Sequence, residues 1–402
     1  MVRPRYSWQR TPFPKPFCKE QSAASAYGSC NDGCRRSSSS GMRFVIFGLT
    51  ITSAWANGHA TPWRGLLRAL HRAGHQATFF ERDVDYYAAQ RDLADPDFCD
   101  VILYEDWDSV RGTAAQTLAT ADVAIVTSYC PDGLKACRLV LDTPRVLHVF
   151  YDLDAPVTLQ ALADHGVAVP NGARYLTPDL IPQFDLYVSF TGGPILDELR
   201  IRWGARRTAA LCGSVDPDIH VPLEDPPDAF RCALGYLGTY SQDRQLSLER
   251  LLIQPARSRP EDRFLVVGSM YPSEIAWPPN VSTRWHLDPH EHPAFYSANR
   301  LTLSITRQAM LAWGYTPSGR LFEAASCGTP VLTDRWPGIS DFFEPGTEIL
   351  VADNANDASA ALELGDRELA QIGAAARERT LTQHTGAVRA RELVEACEVA
   401  AC

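Results

Sequence analysis

The chain of 402 residues has no run of 18 uninterrupted apolar residues, so no membrane-spanning helix is expected. It has no Cys-x-x-Cys pair; its 11 cysteines are scattered, and the tightest spacing is Cys30-Asn-Asp-Gly-Cys34. That pattern speaks against structural zinc and for a reduced, cytoplasmic protein. Cys212 and Cys327 sit in apolar runs, where a free thiol acts as a small hydrophobe. Positive charge is in deficit: 38 Lys and Arg against 48 Asp and Glu leave −10. This balance excludes a general nucleic-acid binder but not a nucleotide site, which needs only local cations. The first strand-to-helix turn, 48–59, lacks Gly-x-Gly-x-x-Gly, so a dinucleotide cofactor in the first half, and with it an oxidoreductase, is unsupported.

What is present is material for two domains. The length suffices for two cores, and 45% hydrophobic with 21% charged residues reads as an ordinary globular chain. Residues 1–41 differ in character: seven Lys or Arg face two acids, a surplus of five that leaves −15 on the remainder. This Pro-, Ser- and Gly-rich segment cannot bury enough apolar area to fold, so disorder is expected. It reads as a basic tail or a misassigned start upstream of Met42. A secretory signal is the rival, with Arg35-Arg36 before the apolar 44–51 and a small-residue Ala54-Trp-Ala56 site. Cleavage there would remove the first strand of the domain, which argues against it.

From Met42 apolar strands alternate with helical segments, the pattern of a parallel α/β sheet. Strands are expected at 44–47, 77–80, 101–104, 123–127, 146–151 and 186–190. Trp63, Leu66, Leu67, Leu70 and Ala73 mark a helix between the first two. After an acidic, Pro-rich linker the pattern restarts, with strands at 233–240, 264–268, 281–287, 301–306, 331–333 and 349–351. Helical segments at 366–379 and 385–398 close the chain. The domains are accordingly set at 42–212 and 231–384 around a linker at 213–230. The last helix, 385–402, is a candidate to return to the first domain.

The most informative stretch is Gly314-Tyr-Thr-Pro-Ser-Gly-Arg-Leu-Phe-Glu323-Ala-Ala-Ser-Cys-Gly328-Thr-Pro330. Pro317-Ser318 starts a helix, with Ser318 or Thr316 able to cap it, Gly328 stops it, and Pro330 leads into an apolar strand. The helix start suits a phosphate. Glu323 stands five residues on, about 7–8 Å along the axis, where it can hold a ribose hydroxyl.

This segment resembles the donor-site helix of nucleotide-sugar glycosyltransferases of the GT-B fold, two Rossmann-like domains facing across a cleft. Their retaining family carries Glu, seven residues, Glu, then Ala-x-x-x-Gly-x-Pro. Glu323, Gly328 and Pro330 match the second half, and the first Glu falls on Tyr315. The Gly-Tyr-x-Pro-Ser form is more similar still to the CgeB-type, spore-maturation transferases. Gly213-Ser-Val-Asp-Pro-Asp-Ile-His-Val-Pro222 is similar to the segment joining the two domains in the retaining family.

The resemblance implies a metal-independent transfer of sugar from a nucleoside-diphosphate donor to an acceptor hydroxyl, with no cofactor and no nucleic-acid partner. The acceptor (glycan, protein or small molecule) stays open. Gly238-Thr239 allows close backbone approach to a diphosphate, and Arg244 adds a charge in place of the family's Arg, here Tyr236. An exposed helix arginine is the plain alternative for Arg244. Arg320, two residues after Ser318, neutralises the leaving diphosphate, and Arg307 is a further phosphate- or sugar-binding candidate. His59, after Gly58, either takes a proton from the acceptor or has the plainer role of binding substrate or capping a loop. His75 reads as a cation at a helix end. The loops expected near the donor lack Asp-x-Asp; Asp152-x-Asp154 follows a first-domain strand, where acceptor contacts are expected. Thr191-Gly192-Gly193 lines the acceptor, binds a donor oxygen or makes a simple tight turn. Glu323 favours retention of configuration, Gly58-His59 inversion; the reading adopted is retention. The alternative is a non-catalytic GT-B protein that binds a nucleotide sugar or glycan, which Tyr315 in place of an acid keeps open.

Overall fold

The computed structural model describes residues 41–55, 57–168 and 173–402. The basic tail as far as residue 40, with Cys18, Cys30 and Cys34, and Ala56 of the signal-like segment lie outside these residues.

Seven strands form the first sheet: β1 Arg43–Gly48, β2 Gln76–Arg82, β3 Asp100–Tyr104, β4 Val123–Thr127, β5 Leu147–Asp152, β6 Leu186–Ser189 and β7 Thr208–Ala210. Their order is β3-β2-β1-β4-β5-β6-β7, every pairing parallel. Side chains of β1 go alternately to the two faces. Val45 and Phe47 join a core with Phe80, Trp107 and Tyr187, while Phe44 and Ile46 join one with Trp63, Leu67 and Leu70. Both faces are therefore dry, as an all-parallel sheet requires. This is why β1 reads as an unbroken apolar run. β7, Thr-Ala-Ala at the sheet edge, carries no such run and was not expected.

The second sheet holds β8 Leu234–Leu237, β9 Phe264–Val267, β10 Val281–Arg284, β11 Thr302–Ser304, β12 Val331–Thr333 and β13 Leu350–Val351. Its order is β10-β9-β8-β11-β12-β13, again all parallel. The helix Gly386–Ala401 leaves this half and lies along the helix Ala60–Arg72 of the first. Leu393, Cys397 and Ala400 share the core of Trp63 and Leu67. A β-carbon on Gly386 would stand 2.7 Å from the Gly65 carbonyl oxygen, so only glycine permits this approach.

Strand order reverses between β1 and β4 in one sheet and between β8 and β11 in the other. Open parallel sheets bind ligands beyond the C-terminal strand ends at such a reversal. Here residues that follow β1, β8 and β11 line one cleft.

Candidate active site at the cleft between the halves

The cleft has a volume of about 610 Å³ and is lined from both halves. His59 and Asp154 come from the first half; Gly238, Thr239, Arg244, Arg307, Ser318, Arg320 and Glu323 come from the second. All eight residues expected from the sequence, His59 and the seven of the second half, thus meet in one space. Asp154, expected among the acceptor contacts, joins them.

The helix Gly319–Ser326 opens after Ser318, whose φ of −65° and ψ of 142° place it at the N-cap. Ser318 does not cap it, contrary to expectation; its hydroxyl accepts from Arg320 Nη1 at 3.3 Å. Thr316 is buried and its hydroxyl accepts from Thr191 Oγ1, so it does not cap either. The first turn is therefore uncapped where Gly319 and Arg320 line the cleft. Gly328, at φ +76°, takes the left-handed turn that ends the helix.

Glu323 is buried, and its Oε2 accepts from Tyr296 Oη at 3.1 Å. Burial alone would raise its pKa, but His292, His220 and Arg320 outweigh that and bring it down to about 2. His292 Nδ1 stands 3.8 Å from Oε2, an ion-pair distance rather than a hydrogen bond. A carboxylate at the cleft wall is thus ionised throughout the neutral range.

Arg244 ends a short 3-10 turn, Gln242–Arg244, and is half-buried rather than an exposed helix residue. Its Nη1 donates to the Thr239 carbonyl at 3.4 Å, and its Nε is buried with no partner. Burial, then Arg320 and Arg307, lower its pKa against support from Tyr236 and Asp243. Cations crowded in this way gain from an anion. The chain's lysines are Lys15, Lys19 and Lys135, so arginine carries the whole positive charge of the second half. Gly238 underlies the same loop: a β-carbon there would lie 3.1 Å from Tyr236 Oη and 3.2 Å from Arg320 Nη2.

Arg307 reaches across the cleft. Its Nε is 3.5 Å from Asp243 and its Nη1 is 3.9 Å from Asp154. Burial works against its charge, but Asp154 and Asp243 raise its pKa overall.

On the facing wall His59 precedes the helix Ala60–Arg72, and its Nε2 lies 3.8 Å from Asp154 Oδ2. Tyr129 Oη donates to the same oxygen at 2.6 Å. His59 Nδ1 is buried without a partner. Burial lowers the His59 pKa, opposed by Asp154 and aided by Arg307, so the imidazole is neutral at neutral pH.

Several expectations need correction. Asp152-x-Asp154, placed among the acceptor contacts, does not reach the cleft as a pair. Asp152 is fully buried and accepts from Tyr187 Oη at 2.7 Å and Thr158 Oγ1 at 2.9 Å. Burial raises its pKa to about 6. It braces the loop, and only Asp154 faces the cleft. His75 is not a helix-end cation: Nδ1 accepts from the Met42 N–H at 2.9 Å, and burial lowers its pKa. Thr191-Gly192-Gly193 and Tyr315 do not line the cleft; they meet each other beside it. His220, His292 and Asp243 were missed, for no motif spacing connects them to Glu323 or Arg307.

Residues 244–395 match a family described as glycosyl transferase-like. No curated protein matches the chain in sequence. Among solved structures it is similar to sucrose-phosphate synthase from Thermosynechococcus elongatus, with TM-score 0.59, 14% identity, and 88% of this chain and 98% of that one covered. Anabaena HepE in complex with UDP and glucose gives TM-score 0.62 and 13% identity over 88% and 98% of the two chains. An alpha-glucosyltransferase in complex with UDP-glucose and DNA containing an abasic site gives 0.64 and 11% over 89% and 99%. The chain has the GT-B fold, and residues 244–395 resemble the glycosyl transferase-like family.

Proposed function

We propose that the protein transfers a sugar from a UDP-sugar to an acceptor hydroxyl, without a metal and with retention of configuration. The observation that carries this reading is the convergence on one wall of an uncapped helix start, Arg244, Arg307 and Arg320, and the ionised Glu323. The diphosphate lies at Ser318-Gly319 and Gly238-Thr239. The arginines neutralise it as it leaves, the role a metal plays elsewhere. Glu323 accepts from the ribose hydroxyls about 7–8 Å further along the helix. His59, held neutral opposite, accepts from the acceptor hydroxyl. Uridine as the base is supported by the UDP in the HepE complexes and UDP-glucose in the alpha-glucosyltransferase complex. That last complex holds DNA, but a net charge of −10 weighs against DNA as acceptor here. The Gly314-Tyr-x-Pro-Ser318 form supports a CgeB-type assignment within the fold.

One observation favours a second reading. His59 beside Asp154 forms a pair suited to proton abstraction, and an inverting transfer needs such a base. The anomeric proton of the product, read by NMR, decides between the two courses.

Thermal unfolding with UDP, GDP, ADP and CDP tests the donor site. A diphosphate at a hundred times its dissociation constant should add about 2.7 kcal/mol to stability. UDP should stabilise the wild type and not Glu323→Ala. No shift from any diphosphate would overturn the donor-site reading. Turnover of any donor would dispose of a purely binding role.

A further inference from the structure

At the cleft wall, three side chains from separate elements converge. His220 lies in the segment between the two sheets, His292 opens the helix His292–Ala298, and Glu323 lies on the donor helix. One ligand atom from each falls within 4.8 Å of the other two. His220 is 3% exposed, and neither of its ring nitrogens has a hydrogen-bond partner. His292 Nδ1 is likewise buried and unpartnered. Buried imidazole nitrogens are almost always satisfied, so two rings left open beside a carboxylate call for a ligand. Their backbone is well held: the His220 N–H donates to the Asp216 carbonyl at 3.0 Å, and its carbonyl accepts from Ser326 Oγ at 2.6 Å. Tyr296 Oη orients the carboxylate from behind, as a partner outside the ligand set does in metal sites.

We propose that His220, His292 and Glu323 form a site for a borderline divalent cation of the zinc type, and that the metal shuts the donor site. Two imidazole nitrogens and one carboxylate suit Zn²⁺ or Co²⁺, whereas Mg²⁺ and Ca²⁺ favour all-oxygen sets. Bonds of about 2.0–2.1 Å hold tetrahedral ligand atoms about 3.3 Å apart, so closure takes at most about 1.5 Å of side-chain movement. His292 and Glu323 line the cleft, which leaves the fourth position open to water. A carboxylate bound to metal cannot also accept from ribose hydroxyls. This second clause rests on the proposed donor site; the metal site itself does not. The metal is thus an inhibitor of a transfer that does not use one.

The test uses the full chain and two His220- and His292-directed variants. Titration with Co²⁺ should give one equivalent of binding with the intense visible bands of a four-coordinate ion, and Zn²⁺ should displace it. His220→Gln and His292→Gln should each lose this signal. UDP binding should weaken about tenfold at saturating Zn²⁺ in the wild type, within the usual range of site coupling. In His220→Gln, whose side chain does not line the cleft, UDP binding should persist and ignore Zn²⁺ beyond chelation in solution, which is common to both proteins. Absence of a one-to-one Co²⁺ site, or its survival in both histidine variants, overturns the metal site. Metal binding with UDP affinity unchanged overturns the inhibition. Failure of every diphosphate to bind, with Co²⁺ bound normally, overturns the donor reading and upholds the metal site.

Discussion

His59 and Asp154 arrive at the cleft from the turns after β1 and β5, with Nε2 3.8 Å from Oδ2. Burial lowers the His59 pKa, and Asp154 is the main group opposing it. In the proposed transfer a hydrogen bond from the acceptor needs the neutral imidazole, so activity should rise with pH through the His59 pKa. Removing the carboxylate charge lowers that pKa further. Asp154→Asn should therefore move the acid limb of the pH profile to lower pH, while His59→Ala should abolish the limb. A limb in kcat marks His59 as a base, and a limb confined to kcat/KM marks it as a binding group. An unmoved limb in Asp154→Asn would remove His59 from the cleft chemistry. The sequence carried His59 through its place before a helix and Glu323 through a half-motif. It carried Asp154 only as half of an Asp-x-Asp, because the burial that withdraws Asp152 and leaves Asp154 at the cleft is a tertiary fact. His220 and His292 stood isolated in the chain for the same reason.

The helices Asp366–Gln383 and Gly386–Ala401 are joined by His384 and Thr385, and that joint carries the chain back to the first half. Thr385 caps the second helix by accepting from the Val388 N–H. His384 Nδ1 accepts from Arg389 Nη2 at 2.8 Å, which leaves Nε2 to donate to the Phe342 carbonyl at 3.3 Å. Phe322, Phe342 and Phe343 surround the ring. Burial first, then Arg389, lower its pKa to about 3. The unfolded chain takes up this proton near pH 6.5 and the folded chain only near pH 3. The contribution is therefore fully present above pH 6.5 and is lost as pH falls toward 3. Wild type should lose about 1–2 kcal/mol more than His384→Gln between pH 7 and pH 5, measured by urea unfolding. Parallel losses in the two proteins would show that His384 is protonated in the fold. Both closing helices were legible because they are long and periodic. β7 and the helices His292–Ala298, Gln308–Trp313 and Ala355–Glu363 were not, being short and carrying no sustained apolar period.

The two halves meet at a contact that the donor-family pattern hides. Tyr315 stands where the retaining pattern has its first Glu, and its backbone is in the left-handed region at φ +49°. Its ring packs on Gly193 of the first half and Gly338 of the second: a β-carbon at either would lie 2.3 or 2.4 Å from ring atoms. Its N–H donates to the Pro337 carbonyl at 2.8 Å, and its carbonyl accepts from the Gly192 N–H at 2.9 Å. The residue that departs from the motif therefore joins the halves beside the cleft, and the two glycines are small because the ring needs their space. Gly193 is itself at φ +64° and ψ −139°, a conformation costly to any other residue. Gly193→Ala should thus cost about 2–5 kcal/mol, from backbone strain and overpacking together. Tyr315→Ala removes the obstacle and leaves the strain. The double variant should then be about 1–3 kcal/mol more stable than the sum of the single effects predicts. Additive losses in urea unfolding would mean that the ring leaves Gly193 in solution and that the halves are held by Gly386–Ala401 and the joining segment alone.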